Sequence, residues 1–328
     1  MINNNNNNHR FSTAILTAFI GTLFGCEAAL NLDGVARTEA QDIRRTDQFQ
    51  AIANSEKSIV VVGSGGVVLR KPLEGDSWQR IELAEAESLV DVALCPDGRF
   101  VALSMSKNVW QSEDEGTTWK SFPITTEEDV LDLTCAPDNS VWVVGSFSTI
   151  THAKDLAGEW ASESLFEDAM LTNIQFINSD DVIIAGEFGF FARSDDGGAT
   201  WQPPSYIPNE FYVHGMLFSN LEKGWVSGLA GQIYATEDGG ASWALSETPT
   251  ASPLYGLYQN GGDLYAFGDH ATVLKYDSPS WSKIKNPNPP VYIRDALLLP
   301  NGSLLMAGGS GSLYELDGTA KNIDLAGK

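Results

Sequence analysis

Ser194-Asp195-Asp196-Gly197-Gly198-Ala199-Thr200-Trp201 is an eight-residue stretch that the chain writes three times. It returns as Thr236-Glu237-Asp238-Gly239-Gly240-Ala241-Ser242-Trp243, and stands earlier as Ser112-Glu113-Asp114-Glu115-Gly116-Thr117-Thr118-Trp119. Each copy reads Ser/Thr-x-Asp-x-Gly-x-Ser/Thr-Trp. The Asp carboxylate can accept bonds from backbone amides of its own turn, and Gly permits positive φ. The Trp ring can cover an outer edge. Worn copies lie at Gly75 to Trp78, Asp155 to Trp160 and Asp277 to Trp281. Working outward, Trp78, Trp119, Trp160, Trp201, Trp243 and Trp281 are spaced by 41, 41, 41, 42 and 38 residues. An independent column, Gly63, Ser104, Gly145, Gly186, Gly228, Gly268 and Gly308, is spaced by 41, 41, 41, 42, 40 and 40. That column has seven members, so the chain carries seven units, the last lacking the Trp.

Each unit reads alike. An apolar strand such as Leu89 to Leu94 meets a turn such as Pro96-Asp97-Gly98 or Pro300-Asn301-Gly302. A second apolar strand such as Val182 to Ala185 enters the glycine column, and a third leads to the acidic turn and the Trp. Runs of β-branched and aromatic residues between Gly, Pro, Asn and Asp predict strands, with no helical period. A period near forty with four strands is a propeller blade. The expectation is an all-β fold: a single seven-bladed β-propeller of four-stranded blades over 48–328. The blades fall at about 48–80, 89–122, 130–166, 171–203, 213–247, 254–285 and 291–325. A closed ring has no long edge to pair with a second copy, so a monomer is expected. For closure, either the last blade takes a strand from the other terminus, or Ala320 to Leu325 forms its outer strand.

The acidic turn resembles the Asp-box, or BNR repeat. Asp114, Gly116, Trp119, Asp196, Gly198, Trp201, Asp238, Gly240 and Trp243 are then structural rather than catalytic. With Gly-Trp-Val-Ser-Gly-Leu-Ala-Gly at 224–231 ahead of the copy at 236–243, the repeats resemble the photosystem II stability/assembly factor-like family. The resemblance covers roughly 48–318 and is clearest at 171–203 and 213–247. It implies a binding or assembly role without fixing the client. Photosynthetic members carry an arginine-rich patch that this chain lacks, so their client is not carried over.

The amino-terminal segment reads as an address. Phe11 to Gly25 is apolar but only 15 residues long, too short to span a bilayer and suited to a signal-peptide core. It ends in Leu23-Phe24-Gly25-Cys26, which resembles a lipobox. Residues 1–25 are then a signal peptide, Cys26 the lipidated residue and 26–47 a tether, part of which could add a strand. Several acyl chains would anchor the protein permanently to a membrane. The expected location is the cell envelope, at the outer membrane or periplasmic face.

Forty-three acidic and twenty basic side chains give a net charge of −23, which repels nucleic acid and anionic headgroups. No nucleic-acid partner is expected. His9, His152, His214 and His270 are too scattered for a metal site, and no cofactor motif is present.

Propellers bind where inner strands begin. One inner-strand column reads Ala51, Asp91, Asp132, Asn173, Gly215, Gly256 and Asp295, with His214, Tyr255 and Arg294 in the column before it. Loops after the glycine column add Glu187, Phe188, Asp269 and His270. Asp91, Asp132 and Asp295 would ring the channel mouth. At about 8–10 Å apart each pair would repel by roughly 0.4–2 kcal/mol. Either a basic or polar partner segment relieves that repulsion, or the acids bond neighbouring backbone and water. The partner would be an envelope or membrane complex, for example a transporter.

Two enzyme readings stand beside this. A sialidase needs three converging arginines, and Arg70, Arg80, Arg99, Arg193 and Arg294 show no such motif. A glycoside hydrolase could use Asp91 with Asp295 as paired carboxylates. Passive carbohydrate binding could use Phe188, Phe190, Tyr206, Phe211 and Tyr212. Cys95 and Cys135 close equivalent inner strands, pointing to opposite faces of their own sheets. They either face one another between blades, as a disulfide, or point apart.

Overall fold

A computed structural model describes residues 32–285 and 291–316 and the backbone of strand Asn322–Asp324. The expected signal peptide, residues 1–25, and the expected lipidation site Cys26 lie outside the described residues. The chain forms seven antiparallel four-stranded sheets, each made of four consecutive strands. This is the seven-bladed β-propeller that the repeats require. The inner strands are Phe49–Asn54, Leu89–Leu94, Val130–Cys135, Leu171–Phe176, Gly215–Phe218, Leu254–Asn260 and Ile293–Leu298.

The second strand of each blade explains why the ring holds. Ser58–Gly63 and Val182–Gly186, for example, are buried at every position. A strand packed on both faces reads as a continuous apolar run. Its period-two alternation sends side chains to two different interfaces. Val60 and Val62 pack toward blade 2, whereas Ile59 and Val61 pack toward blade 7. Seven apolar clusters fill the seven interfaces between blades.

The ring closes without strand exchange. Blade 7 takes its outer strand from its own sequence, Asn322–Asp324, and blades 7 and 1 meet through Leu297, Leu305, Leu313, Phe49, Ile52 and Val61. Among the described residues, the expected tether adds no strand. It forms a short helix, Asp33–Glu39, that buries nothing, and then packs along the seam. Ile43 enters the closing core. Asp47 is buried, accepts the Arg44 amide, and is gripped by Arg80 at 2.9 and 3.0 Å. Among the described residues no helix is long and apolar enough to cross a membrane.

Cys95 and Cys135 form a disulfide between blades 2 and 3, with Cα atoms 5.1 Å apart. Opposite faces of neighbouring sheets are the faces that meet in a ring, so this outcome follows from the alternation.

The acidic turns lie between third and outer strands, as expected. Asp114 accepts Thr118 N–H at 2.8 Å and Thr118 Oγ1 at 2.7 Å, while Ser112 Oγ accepts Gly116 N–H at 3.0 Å. Asp196 and Asp238 repeat this bonding with Thr200 and Ser242. The hydroxyl and amide bonds of the turns hold the carboxyls of Asp196 and Asp238 below their ordinary range. Trp119 donates to the carbonyl of Gly116, whereas Trp201 and Trp281 reach back to Glu163 and Ser246 of the preceding blade.

Candidate functional site

The channel mouth is built by a backbone irregularity repeated around the ring. In six blades the register between inner and second strands slips by one residue at the start of the inner strand. A bulge of this kind leaves one residue unpaired and re-aims its side chain. Two consecutive residues per blade therefore line the channel. Its cavity, about 160 Å³, gathers both columns, from Gln50 and Ala51 through Asp91, Asp132, Asn173, His214 and Tyr255 to Arg294 and Asp295.

The inner strand is also an edge strand, whose outward amides have no ladder partner. The column aspartates answer this. Asp91 accepts Val92 N–H at 2.8 Å with Oδ1 and, with Oδ2, Leu133 N–H of the next blade at 3.0 Å. Asp132 accepts Ile174 N–H of blade 4 at 2.8 Å. Asp295 accepts Ala296 N–H at 2.7 Å and, across the seam, Ile52 N–H of blade 1 at 2.9 Å. Gln175 clasps both backbone groups of Phe218, and Tyr258 accepts Leu298 N–H. These bonds staple blade to blade.

Three acids in a walled channel are poorly hydrated, and burial pushes all three carboxyls upward, Asp295 to about 7. Burial and then the neighbouring Asp91 charge push the Asp132 carboxyl well above its ordinary range. Asp91, Asp132 and Asp295 are brought together in one cavity, where each accepts backbone amides, one of the two arrangements expected from the sequence. Both oxygens of Asp91 and of Asp295 hold backbone amides. Asn173 lines the same cavity and accepts the Thr172 hydroxyl at 3.2 Å.

The groups left open are cationic and aromatic. Arg294 is the bulge residue of blade 7, and its guanidinium carbon lies 5.7 Å from the Tyr255 ring centre. Around it runs an arc of rings. Tyr212 to His214 spans 4.9 Å, His214 to Tyr255 5.6 Å, and Tyr255 to Tyr292 6.5 Å, centre to centre. Burial, and then the Arg294 charge, lower the His214 imidazole below its ordinary value, so it is neutral at pH 7. Its Nε2 is buried with no hydrogen-bond partner among the described residues. Tyr292 bridges Gln48 and Gln50 of blade 1.

The loops after the glycine column surround this mouth. Glu187 accepts the Met170 amide, and Asp269 pairs with His270 at 3.0 Å. Each tip turns through positive φ, at Phe147 (52°), Phe188 (56°), Ala230 (53°) and His270 (54°). Bulky residues rarely adopt that conformation. The same loops expose Met105, Phe147, Phe188 and Leu229 at 65, 56, 55 and 52%. Phe166, on the neighbouring connection, is 95% exposed. Of the aromatic residues offered for sugar stacking, Phe190 and Phe211 are core, whereas Phe188 and Tyr206 are exposed. Phe147, Leu229, Met105 and Tyr292 were not read from the sequence. Phe147 occupies the loop place of Phe188, two residues past the glycine column, and that offset was the available signal.

Among the described residues no cluster of His, Cys, Asp or Glu could hold a metal ion.

Comparison with solved structures finds many seven-bladed neighbours. A virginiamycin B lyase from Staphylococcus aureus, in a catalytically inactive form with quinupristin, superposes with a TM-score of 0.71 at 12% identity, covering 82% of this chain and 94% of that one. YCF48 from Cyanidioschyzon merolae gives 0.66 at 13%, covering 82% and 95%. YCF48 bound to D1 peptide gives 0.67 at 14%, covering 81% and 90%. The likeness is one of fold. At these identities it joins an enzyme and an assembly factor without choosing between them. No protein-family model and no curated protein matches the chain.

Proposed function

We propose that this chain is a binding protein of the cell envelope, anchored through a lipidated Cys26, that captures a segment of an envelope or membrane protein on the channel face of its propeller. The observation that carries the reading is the rim. Four neighbouring blades present large apolar side chains on tight, strained turns around a polar mouth. Strained residues and exposed apolar clusters persist where a partner uses them. The opposite end of the ring bears the hairpin turns between inner and second strands and the acidic turns, whose carboxylates bond their own backbone. The Cys95–Cys135 bridge suits an oxidising compartment and so supports export. YCF48 with a D1 peptide is a precedent for a propeller of this kind that holds a peptide. No chemical step is assigned.

A photo-crosslinking residue at Phe188 tests the reading in the native envelope, beside one at Ser179 on the opposite end. A protein crosslinked from position 188, absent from position 179 and lost with Phe147→Ser, is the expected result. Equal labelling from both ends, or none from position 188, overturns it.

A further inference from the structure

We propose that the channel mouth at Arg294 is a carboxylate pocket, framed by His214, Tyr255 and Tyr292. This rests on the channel face being the binding face, and names the chemistry that face selects.

Three observations converge. Among the described residues, nothing accepts a hydrogen bond from the Arg294 guanidinium or forms an ion pair with it, although three carboxyls share its cavity. Those carboxyls are held by backbone amides of their own and the next blade. Among the described residues Arg294 is also the only Lys or Arg lining the cavity. A guanidinium presents a planar fork that a carboxylate matches with two parallel bonds. Finally, Nε2 of His214 is a buried polar atom with no hydrogen-bond partner among the described residues, on the ring that meets Tyr255 edge to face.

The frame sets size and strength. Tyr255 lies against one side of the guanidinium, and Tyr292 is fixed by Gln48 and Gln50. A cavity of about 160 Å³ lies below the roughly 300 Å³ at which drug-sized ligands are usually enclosed. It takes one functional group, with the remainder of the ligand on the rim. The mouth therefore selects an anionic group, the reverse of what three acids in a column suggest. The carboxylate could come from a peptide carboxyl terminus, an acidic side chain or a small organic acid.

The test uses the exported chain and four probes in ligand-observed NMR titrations. Hippurate stands for a peptide terminus, hippuramide is its neutral twin, N-acetylglutamate α-methylamide stands for a side chain, and acetate for a free acid. Hippurate should bind, with hippuramide weaker by about 10- to 100-fold, the range for losing a charged bidentate contact. Arg294→Gln should abolish that preference, and Arg294→Lys should keep part of it. Near-ultraviolet circular dichroism checks that each variant retains its packing. The ranking of the three acids identifies the source. Equal binding of hippurate and hippuramide, or binding of neither, overturns the pocket. So does a carboxylate preference that survives in Arg294→Gln. If the Phe188 crosslink persists in Arg294→Gln while no probe shows charge preference, the binding face stands and the carboxylate assignment falls.

Discussion

Gly198 shows what a single residue does here. Its φ is +88°, and a Cβ at that position would lie 2.5 Å from the Trp142 ring of the preceding blade. Gly116 and Gly240 meet Val60 and Phe191 in the same way, at 2.6 and 2.2 Å. The motif glycine thus serves the turn and lets the neighbouring blade approach. Gly98 separates the two demands, because its φ is +90° with nothing within 4 Å. Gly98→Ala should cost about 1–2 kcal/mol from backbone strain alone. Gly198→Ala should cost about 1–3 kcal/mol more through overpacking. Denaturant midpoints of the two variants check this, and equal losses would refute the packing role. Asp196 was legible in the sequence because its partners lie within four residues of it. Asp91 was legible as a channel residue but not as a staple. Its second partner, Leu133, is forty-two residues away, and only the bulge aims the carboxylate there.

At the scale of strands, period and burial fix most of the outcome. The second strands are mostly apolar because each serves two interfaces, so their sequence announced a strand buried on both faces. The loop tips were harder to read. Whether Phe188 or Phe190 faces solvent depends on a two-residue turn at positive φ, and both residues are equally apolar in sequence. The disulfide was open for a similar reason, since alternation sets the two cysteines on opposite faces but not whether those faces are the ones that meet between the blades. It closes a loop across a sequence separation of 40. Loop-closure entropy for that length corresponds to about 4 kcal/mol. The Cys95→Ala/Cys135→Ala variant should lose up to that amount and no longer respond to reductant. An unchanged midpoint when the native chain is reduced would argue against the bridge.

The whole ring adds a property that no blade has alone, a shared channel holding three carboxyls. The raised carboxyls bind more protons folded than unfolded. Asp295, at about 7, contributes stability that is complete below about pH 4 and is lost as pH rises through 7. Asp91 and Asp132 act in the same direction. Asp196, Asp238 and Asp138, the last lowered to about 2 by its Ser140 bonds, act oppositely. Their contribution is present above about pH 4 and is lost as pH falls through their folded values. Stability should therefore peak near pH 4–5 and decline by on the order of 2–4 kcal/mol toward pH 8 through the channel acids. Repulsion within a chain of net charge −23 declines in parallel with acidification, so a variant is needed to separate the two. Asp295→Asn removes the titrating group and leaves one amide of its pair, Ile52 or Ala296, without a good acceptor. It should be less stable at pH 5, yet flatter between pH 5 and pH 8 than the native chain. An equally steep decline in Asp295→Asn would place the pH dependence on the surface rather than in the channel. A flatter one would show that the cost of charging the buried Asp295 carboxyl is what weakens the seam between the first and last blades as pH rises.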